Sequence, residues 1–331
     1  MAAENPHATA PQPSAARCLL FAYHEMGYGC MKALLETGVP VAALFTHDDD
    51  PHEEIWWRSC AELARRHGVA TYTPQRLDAP WIERIALMRP AVIYSFYYRN
   101  LLPDDVLRTA PLGAYNLHGS LLPAYRGRAP VNWMLANGEH EAGVTLHHMV
   151  ARADAGDIVG QRSIAIDDSD TALTLYRKLV PLGVALLTEM HPLIVQGRAP
   201  RHPQDLSRGS YFGRRRPEDG RIDWRWPARR IFNLVRAVTH PYPGAFCSLG
   251  GRKLWVWESG IAHEAGRQGD AGEIVSAAGG GAVEVAAGEG SLLITRAQFD
   301  GAPEGAAAEV LSEVLAEILR GAGLKPGARL E

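Results

Sequence analysis

The sequence predicts an α/β protein in which a doubly wound domain is followed by a small β-barrel domain. Three observations carry this. Short apolar runs at 19–22, 41–46 and 91–96 alternate with stretches of helical length, as expected when parallel strands are covered by helices. Beyond residue 214 the pattern changes to short strands with one preceding helix. Between them, 114–130 begins as an apolar strand, turns polar at Asn116 and His118, and ends in a Gly/Pro-punctuated loop before a helix starting near Pro130.

Taken in order, 19–22 reads as a buried first strand and 26–35 as the helix after it. Gly27 and Gly29 supply the first two glycines of a dinucleotide fingerprint, but Lys32 stands where the third belongs, so NAD is not expected as a cofactor. The second strand, 41–46, runs into an acidic loop at 47–54. Its acids are expected to face solvent and favour the N-terminus of the next helix rather than to bind metal. A strand at 69–72, a helix over 81–88 and the strand at 91–96 continue the alternation. Ligands of such sheets bind beyond the strand C-termini, where Asn100, Leu101, Leu102, Asn116 and His118 fall. A strand at 143–150 leads into an acidic loop at 151–157, followed by a strand at 158–166 and a long helix over 169–196. Residues 214–220 form a turn-rich linker, 227–238 a helix, and 245–248, 253–257 and 272–295 the strands of the second domain. The expected division is a disordered extension at 1–16, an α/β domain at 17–213 and a barrel domain at 214–325.

Composition narrows the class. Of 331 residues, 47% are hydrophobic and 21% charged, which suits a soluble globular protein with room for two domains. The net charge of -3 gives no general attraction to nucleic acid or an anionic membrane. Cys18, Cys30, Cys60 and Cys247 are scattered, with no paired spacing, which fits a reducing cytoplasm better than a disulfide framework or a thiolate zinc site. The Ala/Pro-rich start has neither the basic region of a signal peptide nor a long apolar core. His147 and His148 are adjacent in a strand and face opposite ways, so they do not share one metal, and no metal site is expected.

In an extended segment residues two apart point to one side, so the Asn116 amide and His118 imidazole can face one cavity. The plainer alternative makes Asn116 the end of a strand and His118 a satisfied loop histidine. Trp255 and Trp257 share a strand face and read as core or interface rather than as a base-stacking platform.

The combination Asn116-x-His118-x-Ser120-Leu121-Leu122-Pro123, the loop around Arg126-Gly127, the strand opening Gly143-Val144-Thr145 and the loop Asp154-Ala155-Gly156 resembles the folate-dependent formyltransferases. Within that family the segments at 21–27, 95–99, 126–130 and 212–215 are most similar to the enzymes that formylate UDP-4-amino-4-deoxy-L-arabinose. The resemblance spans about residues 17 to 325.

This resemblance implies an OB-like barrel for the second domain. It also implies transfer of a formyl group from 10-formyltetrahydrofolate to the 4-amino group of the UDP-sugar, without metal or NAD, in the cytoplasm. It assigns oxyanion stabilisation to Asn116, general acid action to His118 and support of the charged imidazole to Asp154. Asn100, Leu101, Leu102, Arg128, Val150, Ala151, Arg152, Ala153 and Asp154 are implied to line the donor pocket. The context it implies is modification of lipid A with aminoarabinose, associated with polymyxin resistance. Bifunctional relatives carry a further decarboxylase half, so a chain stopping at Glu331 is expected to be a stand-alone transformylase.

Two alternatives lie inside the family: methionyl-tRNA formyltransferase, and an enzyme acting on a dTDP-linked amino sugar. The tRNA enzymes usually carry alanine at the Arg128 position and a basic loop where 47–54 is acidic, and an acidic loop repels a phosphate backbone. Outside it, a nucleotide-sugar epimerase or dehydrogenase needs the glycine pattern that Lys32 breaks. A noncatalytic nucleic-acid-binding OB module leaves Asn116, His118 and Asp154 unexplained.

Overall fold

The computed structural model describes residues 16–51, 53–263, 265, 269–312 and 329–331. Almost all of the expected N-terminal extension, and residues 313–325 of the expected barrel domain, lie outside the described residues. Among the described residues two compact units emerge: those up to 127 with 143–164 and 178–211 in the first, and 128–142, 165–177 and those from 212 onward in the second. This division is not one cut near 213, because two segments of the N-terminal half group with the second unit.

In chain order the elements are β1 (Cys18–Ala22), α1 (His24–Glu36), β2 (Val41–Phe45), α2 (Cys60–Arg66), β3 (Thr71–Tyr72), α3 (Ala79–Met88), β4 (Val92–Phe96), α4 (Asp104–Leu107) and β5 (Ala114–His118). They continue with β6 (Arg126–Gly127), α5 (Pro130–Ala136), β7 (Glu141–His148), β8 (Ile158–Ala165), α6 (Ala172–Val195) and β9 (Tyr211–Phe212). The large sheet has the order β3-β2-β1-β4-β5-β7-β8. Pairing is parallel from β3 to β5, and the chain order reverses between β1 and β4, the place where open α/β sheets leave a crevice. The parallel run ends at β5, since β7 pairs with it antiparallel and sets His147 opposite Asn116 and Thr145 opposite His118.

The central strands β1, β2 and β4 are largely apolar because both faces are covered. On one face Leu19, Phe21, Ala43, Phe45, Ile85 and Ile93 are fully buried, and the Phe21 and Phe45 rings stack at 4.9 Å. On the other, Gly29 of α1 approaches Val180 and Val184 of α6, and Gly183 of α6 approaches Met26 and Leu117. Helix α6 has the length and apolar composition of a membrane span. It is a packing helix of the fold, because Leu175, Leu179, Leu186, Leu187 and Ile194 are buried within the protein.

The acidic loop behaves differently from the expectation. Helix α2 is capped by Ser59, whose hydroxyl accepts the Glu62 N–H at 3.2 Å, so the loop acids are not needed there. Asp49 instead accepts the Tyr23 hydroxyl at 2.8 Å, and Glu53 pairs with Arg99 at 2.5 Å.

The second unit contains α7 (Ala228–Val238), β10 (Ala245–Leu249), β11 (Arg252–His263), β12 (Ile274–Ala278), β13 (Ala282–Ala286), β14 (Ser291–Phe299), β15 (Gly305–Ala306) and α8 (Ala307–Val310). Its strands form an antiparallel sheet ordered β10-β11-β14-β13-β12, with β15 added to β14. The two outer edges meet through the chain end, since Leu249 bridges Leu330 and Glu273 bridges Arg329. Trp255 and Trp257 stack on each other at 5.8 Å, and His240 covers Trp257 at 3.9 Å. The tryptophan stripe is therefore packed within the unit, as the periodicity indicated.

Candidate active site

Asn116 and His118 occupy the C-terminal end of β5, where alternate residues share one face. The loop after β7 turns back because Asp154 adopts a left-handed backbone, φ 51°, and Gly156 approaches the His148 carbonyl so closely that a Cβ there would collide with it. Gln204 holds the turn by donating to the Asp154 carbonyl at 3.1 Å. These local features place the Asp154 carboxylate against the end of β5.

Asp154 is the centre of the site. Its Oδ1 lies 3.6 Å from His118 Nδ1, 3.5 Å from His147 Nε2 and 3.4 Å from Asn116 Nδ2, while Oδ2 accepts the Gly127 amide at 2.9 Å. Burial works against a charged carboxylate here. The charge of His118 and the Gly127 amide outweigh it, holding Asp154 well below the usual carboxylate range.

The proton positions follow from the partners. A carbonyl oxygen only accepts, so His118 donates from Nε2 to the Tyr125 carbonyl at 2.8 Å. Its Nδ1 then faces a carboxylate, which also only accepts, and that contact is attractive when Nδ1 carries a proton too. By the same reasoning His147 donates from Nδ1 to the His148 carbonyl at 2.9 Å and accepts from Asn116 Nδ2 through Nε2 at 3.1 Å. His118 and His147 are both buried, at 7% and 2% exposure, so these hydrogen bonds face little competition from water.

The loop after β5 is braced from beneath. Thr145 Oγ1 donates to the Ser120 carbonyl at 2.6 Å and accepts the Leu122 N–H at 3.1 Å, and Gln161 donates to the Leu122 carbonyl at 2.9 Å. Ser120 Oγ donates to the Ala124 carbonyl at 2.7 Å, fixing the turn that presents Tyr125 O to His118.

The structure thus brings Asn116, His118 and Asp154 together. His147 was missed, although the period-two spacing of Thr145 and His147 put both on one face; the missing signal was the antiparallel pairing of β7 with β5. Among the other segments singled out, Leu102 is buried in the core, whereas Leu101 is 70% and Val150 46% exposed. Leu101 stands on the loop after β4 and Val150 on the loop after β7. Asn100, Ala151 and Arg152 are exposed beside them in sequence, with Ala153 half-buried. Arg128 belongs to the second unit and is exposed there. No cluster of three or more metal-ligating side chains occurs among the described residues.

Residues 30–190 match the formyl transferase family, and residues 215–314 match the formyl transferase C-terminal domain. Among solved structures, HypX from Aquifex aeolicus in complex with tetrahydrofolic acid is 20% identical with a TM-score of 0.60, covering 90% of this chain and 47% of that one. The chain therefore spans about half the length of the HypX structures it matches. WlaRD, a sugar 3N-formyl transferase crystallised with dTDP and 5-N-formyl-THF, is 18% identical with a TM-score of 0.66, covering 88% of this chain and 99% of that one. The N-formyltransferase from Helicobacter canadensis, in complex with folinic acid and dTDP-3-aminofucose, is 19% identical with a TM-score of 0.67, covering 86% of this chain and 99% of that one. With both domain descriptions matched in the expected order, the chain belongs to the formyl transferase family.

Proposed function

We propose that the protein transfers a formyl group from 10-formyltetrahydrofolate to the 4-amino group of UDP-4-amino-4-deoxy-L-arabinose, as a cytoplasmic enzyme of lipid A modification. The observation that carries this reading is the convergence of Asn116 and His118 on Asp154, at 3.4 and 3.6 Å. 10-Formyltetrahydrofolate supplies the formyl group, and the exposed Leu101 and Val150 fit the flat, largely apolar body of such a donor. Folate-type ligands in the HypX, WlaRD and Helicobacter structures support this choice.

Moving a formyl group between nitrogens develops negative charge on oxygen, releases one proton from the attacking amine and requires one for the departing nitrogen. Asn116 donates to His147 and, over the longer distance, to Asp154; the longer contact is the one it gives up when an oxyanion competes for that hydrogen. His118 holds the proton at Nδ1 against Asp154 and is the general acid. Asp154, ionised well into the acid range, stabilises that charged imidazole and orients it. His147 fixes the Asn116 amide.

The amino-sugar class is supported by the Helicobacter enzyme's dTDP-3-aminofucose complex, and the segment around Arg128 supports the UDP-arabinosamine acceptor. The dTDP moieties in the WlaRD and Helicobacter structures favour a second reading, in which the acceptor is dTDP-linked. Purified protein should be incubated with the formyl donor and, separately, UDP-4-amino-4-deoxy-L-arabinose, a dTDP-amino sugar and methionyl-tRNA, and product masses and kcat/KM values compared. A preference below about tenfold, or about 1.4 kcal/mol, for the UDP-sugar would reject the assignment.

A further inference from the structure

The adjacent parallel strands β1 and β4 are each followed within two residues by a left-handed backbone, at His24, φ 68°, and at Tyr97, φ 57°. Such conformations cost a residue that carries a Cβ, and they cluster where a chain is shaped around a ligand. His24 lines a cavity of about 170 Å³ together with Tyr23, Thr46, His47, Asp49 and Trp57, all within the first unit. That volume lies below the roughly 300 Å³ at which pockets begin to take a whole drug-sized ligand, so the cavity suits one ring of a larger molecule.

Much of the wall is aromatic. The Tyr23 ring meets Trp57 edge-on at 5.5 Å and His47 at 5.3 Å, and His24 stacks on Trp57 at 3.9 Å. Burial lowers the His24 pKa to about 3, so this imidazole adds no positive charge. Arg58, also at the cavity, gives both its guanidinium and its backbone amide to Glu25, which leaves it poorly suited to hold an anion. Two polar groups are set into the wall. Thr46 is 2% exposed and its hydroxyl makes no hydrogen bond among the described residues, a costly state that a ligand acceptor would relieve. Asp49 Oδ1 accepts the Tyr23 hydroxyl at 2.8 Å, which fixes the carboxylate and leaves Oδ2 able to accept from a ligand. A neutral planar ring bearing an N–H and a carbonyl satisfies both groups while the aromatic wall covers its surface. The imino edge of uracil or thymine carries that pair.

We propose that this cavity, through Thr46, Asp49 and the Tyr23 and Trp57 rings, binds the pyrimidine base of the nucleotide-sugar acceptor. The position fits the reaction. Ala22 lies opposite Phe96 and Phe96 opposite Leu117, so the end of β1 stands two strand spacings, about 10 Å, from the end of β5 that carries Asn116 and His118. A ribose and a diphosphate bridge such a gap, leaving the sugar amine at the formyl-transfer residues. The inference rests on the nucleotide-sugar reading but not on whether the base is uracil or thymine.

The test titrates the full-length protein and its Thr46→Val and Asp49→Asn variants by calorimetry with UDP, dTDP, GDP and folinic acid, alongside acceptor kinetics. Thr46→Val removes a buried hydroxyl that has no protein partner, so its melting temperature should equal or exceed that of wild type. Asp49→Asn changes an exposed side chain and keeps an acceptor for Tyr23, so it answers the question even if substitution at Thr46 disturbs folding. Each variant should weaken UDP and dTDP binding by about tenfold and raise the acceptor KM with little change in kcat, leaving folinic acid affinity unchanged. Wild type should bind GDP, whose purine is too large for the cavity, less tightly than UDP. UDP affinity equal to wild type in both variants would overturn the site while leaving the acceptor assay standing. GDP bound as tightly as UDP would overturn the pyrimidine assignment, and selective loss of folinic acid binding would give the cavity to the donor instead. If wild type binds neither UDP nor dTDP and formylates no nucleotide sugar, this site and the nucleotide-sugar reading fall together.

Discussion

His118 Nδ1 and Asp154 Oδ1 stand 3.6 Å apart, with the imidazole's other nitrogen committed to the Tyr125 carbonyl. The pair has a consequence for pH. Asp154 is held below its ordinary pKa of about 3.9, so the folded state binds fewer protons there than the unfolded chain. The stability it contributes is present above about pH 4 and is lost as pH falls through the folded value. Asp154→Asn cannot ionise, so its acid unfolding curve should be flatter than wild type below pH 4, and turnover at neutral pH should fall by roughly 100-fold. Parallel acid-unfolding curves would remove Asp154 from the charged role.

Asn116→Ala and His118→Ala should each lower kcat by roughly two orders of magnitude or more, the scale of losing an oxyanion donor or a general acid. Each deletion also leaves a buried partner short of a hydrogen bond, so a stability loss of about 1–3 kcal/mol is expected and must be measured alongside. Folded variants that keep full turnover would return these residues to a structural role.

His147 touches Asn116 at 3.1 Å and is buried, which makes it a positioning residue for the amide. His147→Phe retains the ring while removing the acceptor. It should reduce kcat by about tenfold and leave the KM of both substrates near wild type, since the loss falls on the reacting geometry. A rise in KM with unchanged kcat would place His147 in binding instead.

Much of this arrangement was legible before the fold was known, for reasons that differ by residue. Asn116 and His118 share a face by the alternation of any strand, so their convergence needed no tertiary information. Asp154 required the chain to return after β7, and the residues that make it do so, left-handed Asp154 and crowded Gly156, look in sequence like an ordinary turn. His147 was hidden because strand direction is not encoded in periodicity: only antiparallel pairing sets it opposite Asn116. The acidic loop at 47–54 suggested a helix cap by charge alone, but a nearer hydroxyl at Ser59 serves that end while Asp49 and Glu53 find Tyr23 and Arg99. Segments 128–142 and 165–177 group with the second unit through contacts distant in sequence, which a linear boundary does not anticipate.

His24 offers a further test, at the end of β1 where the sheet order reverses. Its ring stacks on Trp57 at 3.9 Å and meets Trp56 edge-on at 4.6 Å, and its backbone is left-handed at φ 68°. Burial, with a smaller contribution from the Arg99 charge, lowers its pKa from 6.5 to about 3. Between those values the unfolded chain takes up a proton that the folded protein refuses. Folding stability linked to His24 is therefore fully present above about pH 6.5 and declines as pH falls toward 3. His24→Phe keeps an aromatic ring against Trp57 and cannot ionise, so it should lose less stability than wild type between pH 7 and pH 4.5. Urea unfolding midpoints at several pH values in that window measure the difference directly, and the variant-to-variant comparison cancels the contribution of other histidines. The same loss in both proteins would mean that His24 accepts its proton in the folded state, and that Trp56 and Trp57 do not shield it.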